Sequence, residues 1–165
     1  MASPDPGPVR HGRALDVVLR LLAAAGLALD AAVHARLAGQ YDAVTATISQ
    51  GTLFRAEAAA ASLAVLLVLF WRHRIGDAFA WLTAAAGLAA ILLYRYVDVG
   101  ALGPLPNMYE PIWSDDKTTA AWAQAVAVAA LTVLLVRHGR WRGPGRTSES
   151  GRTSASGSTS ESGPA

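Results

Sequence analysis

The residues best suited to chemistry in this sequence are acids and a histidine that interrupt apolar stretches. Asp30 and His34 are four positions apart, so in a helix both side chains lie on one face. Glu57 lies near the start of a second apolar stretch. One histidine with carboxylates suits a hard or iron-type metal ion. If a metal is bound, we expect His34, Asp30 and Glu57 as its ligands.

Other chemistries lack their residues in this chain. It has no cysteine, which excludes disulfides, zinc–thiolate sites, iron–sulfur clusters and thiol catalysis. It also has no glycine-rich phosphate loop, no HExxH zinc motif and no serine-nucleophile elbow. We therefore predict no catalytic residue and no cofactor.

Four apolar stretches must position the acids and the histidine. The composition is 53% hydrophobic and only 16% charged, whereas soluble domains carry about 25% charge. Residues 118–136 form the clearest stretch, with no charged side chain, and about 20 such residues span a bilayer. We predict an all-α transmembrane four-helix bundle, because lipid admits only helices or closed barrels. The expected spans are about 14–38, 52–71, 76–97 and 118–137.

Two other interpretations of these stretches are less consistent with the sequence. A soluble helix would show a polar stripe opposite its core face, but residues 120–136 contain only Gln124 and Thr132 as polar residues. The first stretch could be a cleaved signal peptide. Asp16 and Arg20 interrupt its apolar run, which favours a membrane span instead.

The regions outside the spans differ in composition. Residues 1–13 are rich in proline, glycine and arginine, and we expect a disordered basic tail. Residues 139–165 contain a six-residue Gly/Ser/Thr-rich repeat, and we expect a disordered tail there too. The transmembrane domain is then 14–138. Its loop 98–117 combines prolines with large apolar residues, so we expect an ordered cap over one end of the bundle.

The charge distribution predicts the orientation in the membrane. Ten of the basic residues fall at the end that holds both termini and the loop 72–75, and four fall at the other end. Cytoplasmic loops carry the excess of Lys and Arg. We therefore expect a multi-pass protein of the cytoplasmic membrane with both termini in the cytoplasm. Only His34 of the four histidines is then at the outer end, which argues against bis-histidine haem.

The antiparallel order of the spans brings the ionisable residues together at the outer end. Arg55 and Glu57 are two apart and cannot both face the bundle interior. The predicted pocket, capped by the last loop, comprises Asp30, His34, Arg55, Glu57, Tyr94, Arg95, Asp98, Tyr109 and Glu110. We expect no comparable set at the inner end. Intramembrane charges mark a functional site, or else Asp30, Glu57 and the two arginines are mutual ion pairs that fix helix register.

The expected partner of the helices is the lipid bilayer. Alanines at spacing four (24, 28, 32; 56, 60, 64; 121, 125, 129) predict close helix packing. The same rows could serve self-association or contact with another membrane protein. A net charge of +2 gives no reason to expect nucleic-acid binding.

Two segments resemble a known group of proteins. The sequences QGTLFRAEA (50–58) and YRYVDVGALGPLPNMYEPIW (94–113) are similar to those of small four-helix membrane proteins of actinobacteria. The resemblance covers roughly 14–138. It implies the same fold and a distinctive outer end, but no activity, since none is established for that group.

These observations predict an integral membrane protein with a polar pocket at its extracytoplasmic end. We expect a non-enzymatic accessory or binding protein. The alternatives are a membrane enzyme or metal-dependent redox component that uses the same pocket, and a small transporter. Transporters commonly use broken helices, and the four stretches contain no internal proline.

Overall fold

The computed structural model describes residues 8–140, and within them the chain forms four long α-helices. These are α1 (Pro8–Leu37), α2 (Gln50–Leu66), α3 (Arg74–Tyr96) and α4 (Asp115–Arg140). A π-helical turn, Leu67–Trp71, continues α2. With that turn included, all four helices are long and apolar enough to cross a membrane. The predicted all-α transmembrane four-helix bundle is confirmed.

The helix ends differ from the predicted spans in several places. Helix α1 begins at Pro8, earlier than the predicted span; proline suits the first helical position because its missing N–H needs no partner there. Helix α4 begins at Asp115, because Ser114 Oγ accepts the Lys117 N–H at 3.2 Å. It continues to Arg140, so 139 and 140 are helical too. The rest of both predicted tails lies outside the described residues.

The second helix also begins earlier than predicted. Ser49 Oγ accepts a hydrogen bond from the Thr52 N–H at 3.1 Å, which satisfies one of the free donors of the first turn. The helix therefore starts at Gln50. The chain before it, 38–49, is a loop that contains an isolated bridge between Thr45 and Ser49.

The bundle has two ends of different construction. The cap end consists of the loops 38–49 and 97–114. The terminal end consists of the start of α1, the connection 72–73 and the end of α4. Between them, α1 packs against both α2 and α4, and α3 packs against α4.

Small side chains dominate the bundle core. Alanine permits close approach of helices where van der Waals contact drives their association. The fully buried core residues are Ala23, Leu27, Ala61, Ala64, Val68, Ala80, Ala84, Ala127, Leu131 and Leu134. Gly26 extends this pattern, because a Cβ there would collide with the carbonyl oxygen of Ala123.

The predicted alanine rows are mostly not the buried ones. Ala28, Ala32, Ala56 and Ala129 are exposed on the bundle surface. In α1 the reason is rotation about the helix axis. Arg20, Asp30 and His34 are buried, and a helix that turns these polar groups inward turns the row 24–28–32 partly outward.

The two cap-end loops are joined to each other and to the bundle. The Ile48 N–H donates to the Pro104 carbonyl at 3.0 Å, and the Glu110 N–H donates to the Tyr94 carbonyl at 3.0 Å. Gly100 and Gly103 have φ of 65° and 58°, a left-handed conformation that glycine adopts without strain. The loop 97–114 therefore turns back over the ends of the helices.

Candidate functional site

A cavity of about 230 Å³ opens at the cap end, among the four helices and the loop 97–114. Its walls are largely apolar and aromatic. They include Val33, Leu53, Phe54, Ile91, Tyr94 and Met108. By the direction of the helices, His34 and Glu57 lie farther from the cap-end loops than the other polar lining residues of α1 and α2, and Gly87 is the lining residue of α3 farthest from the loop 97–114. We call these three residues the floor.

The floor histidine is fixed by the residue one turn before it. His34 Nδ1 lies 3.0 Å from Asp30 Oδ1 and 3.0 Å from the Asp30 carbonyl oxygen. Both partners are acceptors, so Nδ1 carries the proton and donates. Nε2 is then the ring nitrogen that the contacts with Asp30 leave free. Phe54 contacts the imidazole edge-to-face, with ring centroids 5.2 Å apart.

A glutamine from the fourth helix supports the floor from below. Gln124 and Asp30 are both fully buried, and Gln124 Nε2 donates to Asp30 Oδ1 at 2.7 Å. Gly87 provides the space for this contact, since a Cβ there would collide with the Gln124 amide and lie 3.0 Å from Glu57 Oε1. Three helices thus place the Asp30, Gln124 and Glu57 side chains beside the cavity.

The cavity mouth is held by the only lysine of the chain. Lys117 Nζ donates to the carbonyls of Glu110 and Ile112 at 2.8 and 3.0 Å, and it lies 3.1 Å from Glu110 Oε2. The Tyr41 hydroxyl donates to the same carboxylate at 3.5 Å. Burial, and then the charge of Glu110, raise the pKa of the Tyr41 hydroxyl. Asp116, also at the mouth, pairs with Arg36.

Several buried polar atoms at the cap end lack a hydrogen-bond partner. Three of them are acceptors beside the cavity: Asp30 Oδ2, Glu57 Oε1 and Gln124 Oε1. Buried polar groups in proteins are nearly always satisfied. The fourth atom at this end, Arg95 Nε, belongs to a side chain that does not line the cavity. The neighbourhood of the cavity therefore has an excess of hydrogen-bond acceptors.

Five of the nine residues predicted as a pocket come together. His34, Glu57, Tyr94 and Glu110 line the cavity, and Asp30 supports His34 from below. Glu57 faces the bundle and Arg55 is exposed, as their two-residue spacing predicts.

The other four predicted residues lie outside the cavity. Arg55 is exposed and forms two hydrogen bonds of 2.7 Å with Asp42. The Arg55 hydrogen bonds hold the pKa of the Asp42 carboxyl below its ordinary value. Asp98 accepts hydrogen bonds from the Gly100 N–H and the Asn107 side chain, both at 3.1 Å, within its own loop. Tyr109 is exposed.

Arg95 is the fourth predicted residue that lies outside the cavity. Its guanidinium lies over the rings of Tyr96 and Trp113, 5.1 and 5.7 Å from their centroids. Neither Arg95 nor Arg55 pairs with Asp30 or Glu57. The interpretation of the outer cluster as mutual ion pairs of these four residues is therefore wrong.

The suggested metal ligands do not form a metal site. Within residues 8–140, no group of three or more His, Asp or Glu side chains is arranged to hold a metal ion. His34 and Asp30 contact each other directly through Nδ1 and Oδ1. Nδ1 and Oδ1 are therefore engaged with each other rather than free for a metal ion.

The terminal end contains a buried ionic cluster that the sequence analysis missed. Arg20 donates to both Asp77 carboxylate oxygens at 2.8 and 2.9 Å and to the Val68 carbonyl at 2.9 Å. Asp77 is fully buried, and Arg20 is 5% exposed. Val68 lies in the π-helical turn Leu67–Trp71. The backbone hydrogen-bond pattern of such a turn differs from that of an α-helix, and the Val68 carbonyl accepts its hydrogen bond from Arg20. The expectation of no comparable set at this end is wrong.

Sequence signals existed for some of the residues that were missed at the cavity. Gln124 is one of two polar side chains in the otherwise apolar run 120–136, and Lys117 is the only lysine. Gly87 has no such signal, because its importance comes from contacts with α2 and α4.

Comparisons with protein-family models, curated proteins and solved structures find no match to this chain. The resemblance to small actinobacterial membrane proteins stays a prediction.

Proposed function

We propose that this chain is an integral membrane protein that binds a small molecule in the cap-end cavity. One observation supports this most strongly: an apolar cavity of about 230 Å³ has on its floor a carboxylate, Glu57, with an unpaired buried oxygen. Ligand sites combine mostly apolar walls with a few placed polar groups. In this proposal the protein has a binding or accessory role rather than a catalytic one.

We also propose that the cap end faces the outside of the cytoplasmic membrane. The support is the excess of arginine at the terminal end. Because the chain has no cysteine, single cysteines can report the orientation. A membrane-impermeant maleimide on intact cells should label Gln40→Cys in the cap-end loop and spare a cysteine added at the C-terminus. The reverse pattern would contradict the orientation.

The binding function is tested by blocking the cavity. Ala90 lines the cavity and is exposed, so Ala90→Phe should fill the space without displacing core residues. Ala89→Phe is the matched control, since Ala89 is exposed on the same helix but does not line the cavity. Native mass spectrometry of protein purified in mild detergent should show a bound small molecule with wild type and Ala89→Phe. Equal retention by Ala90→Phe would contradict the site.

An enzyme at the same cavity is the second candidate, and the geometry of His34 favours it. A histidine oriented through Nδ1 by a carboxylate is the arrangement of a general base. The bound molecule decides between the two. Recovery of the molecule unchanged after incubation supports binding, and conversion that stops in His34→Gln supports catalysis.

A further inference from the structure

The carboxylates around the cap-end cavity are not equally neutralised. Three of them line it: Glu57, Glu110 and Asp116. Glu110 pairs with Lys117, and Asp116 pairs with Arg36. Glu57 forms no ion pair within the part of the chain that the structure describes. It is the deepest of the three, because Glu57 lies two turns inside α2, whereas Glu110 is in the loop and Asp116 is in the first turn of α4.

An unpaired carboxylate in this position is costly in free energy. Transfer of an isolated carboxylate from water into an apolar environment is strongly unfavourable unless a cation or hydrogen-bond donors replace the lost water. The fully buried Asp30 adds further negative charge beneath the floor, and its Oδ2 has no partner. The missing component is therefore a group with positive charge and N–H donors.

An anionic ligand would find no free lysine or arginine among the residues that line the cavity. Lys117 is the cation at the mouth, but its ammonium has three donors, and three oxygens already occupy them. The nearest carboxylates would repel an anion. A neutral ligand without N–H or O–H groups would leave the Glu57 and Asp30 oxygens without a hydrogen-bond donor.

The walls specify the remainder of the ligand. Leu53, Phe54, Ile91 and Tyr94 enclose an apolar volume next to Glu57. The aromatic rings there also favour a cation through their negative faces. A bare metal ion would use none of this surface, and the described residues offer no cluster of metal ligands.

We propose that the cap-end cavity binds a small organic ammonium ion, with its N–H groups on Glu57 and its apolar body among the wall residues. This inference rests on the proposed binding function and adds the chemical class of the ligand. The Asp30–His34–Gln124 hydrogen bonds hold the floor in place beneath the ammonium group.

The test uses three probes of similar shape and different charge: 2-phenylethylammonium, 2-phenylethanol and phenylacetate. Each is titrated at neutral pH onto the full chain in nanodiscs of uncharged lipid, which removes binding of the cation to the membrane surface. Calorimetry should show saturable binding of the ammonium probe, at least about tenfold tighter than of either other probe. Equal or tighter binding of the alcohol or the carboxylate would overturn the ligand class.

Variants tie the result to the site. Glu57→Gln should weaken binding of the ammonium probe by at least about tenfold. Asp42→Asn removes an exposed carboxylate that does not line the cavity, and it should bind as wild type does. If Glu57→Gln does not fold, the affinities of Ala90→Phe and Ala89→Phe for the ammonium probe are compared instead, and only Ala90→Phe should bind it more weakly. Unchanged affinity in the cavity variant would overturn the proposal.

The failures of the two proposals are distinguishable. If the alcohol or carboxylate binds saturably and Ala90→Phe abolishes that binding, the binding function stands and the ligand class is wrong. If none of the three probes binds saturably at millimolar concentration, the ammonium proposal is wrong, while the co-purification experiment still decides the binding function.

Discussion

The two ends of this bundle bury the same kinds of charged side chain and treat them differently. At the terminal end, Arg20 and Asp77 satisfy one another with two hydrogen bonds, and a backbone carbonyl takes a further guanidinium N–H. At the cap end, Asp30 and Glu57 each keep an unpaired oxygen beside an open cavity. At the terminal end the charges of Arg20 and Asp77 neutralise each other, and His138 Nδ1 is the one buried side-chain atom there, among the described residues, without a hydrogen-bond partner. At the cap end, Glu57 has no cationic partner.

This contrast separates two uses of intramembrane charge. A closed pair such as Arg20–Asp77 links α1 to the start of α3, where an acid also complements the helix dipole. An open carboxylate destabilises the empty protein and is retained where it contacts something else. Four substitutions, ordered from the largest expected effect, sharpen the distinction.

The largest effect should come from breaking the closed pair. Asp77→Asn leaves the Arg20 charge buried without its partner, and we expect a loss of about 3 to 5 kcal/mol in the free energy of unfolding. The double variant Arg20→Met/Asp77→Leu removes both charges and should recover most of that loss. Unfolding in mixed detergent measures both. A single variant as stable as wild type would show that the pair does not hold α1 to α3.

The next effect should come from filling the space at the floor. In Gly87→Ala the new methyl group would meet the Gln124 amide and the Glu57 carboxylate. We expect a loss of about 1 to 3 kcal/mol, as for other overpacked sites. The control is Gly12→Ala, a helical glycine where the added Cβ would meet only ordinary contacts. Equal stability of the two variants would contradict the close packing at Gly87.

A smaller effect should follow loss of the lysine at the mouth. Lys117→Met removes hydrogen bonds to two loop carbonyls and the ion pair with Glu110. We expect about 1 to 2 kcal/mol of destabilisation, concentrated in the loop. Hydrogen exchange should accelerate in 97–114 and remain unchanged in α3. Exchange that is unaltered in the loop would show that Lys117 does not fasten it.

The smallest effect should come from the exposed pair of Asp42 and Arg55. The lowered pKa of Asp42 means that its stabilising contribution is present above the ordinary value of 3.8 and disappears as pH falls through the folded-state pKa. Asp42→Asn should therefore be slightly less stable than wild type at neutral pH and equal to it in strong acid. Thermal unfolding across this range measures the difference. A larger difference in acid would reverse the assigned sign.

The parts of this structure that local spacing controls could be predicted from the sequence. Apolar length predicted the four spans, and the four-residue spacing of Asp30 and His34 placed both on one face of α1. The two-residue spacing of Arg55 and Glu57 separated their directions. The position of Asp98 could not be predicted from helical spacing, because α3 ends at Tyr96 and the loop conformation sets where Asp98 lies.

Contacts between distant segments could not be predicted in this way. Arg20 and Asp77 are 57 positions apart, and their pairing depends on how α1 and α3 rotate about their own axes. The same is true of Gln124 and Asp30. Their contact is possible because residue 87 is glycine, since a Cβ there would collide with the Gln124 amide. Hydropathy assigns residues to a span, but side-chain packing sets the rotation of each helix.

The measurement that most directly separates the two ends is the free energy of unfolding of Glu57→Gln beside that of Asp77→Asn. If Glu57 is an open ligand group, the neutral amide leaves the empty protein as stable as wild type within about 1 kcal/mol, or makes it more stable. A loss of about 3 kcal/mol or more, as expected for Asp77→Asn, would mean that Glu57 has a structural partner and that the cap end is closed like the other.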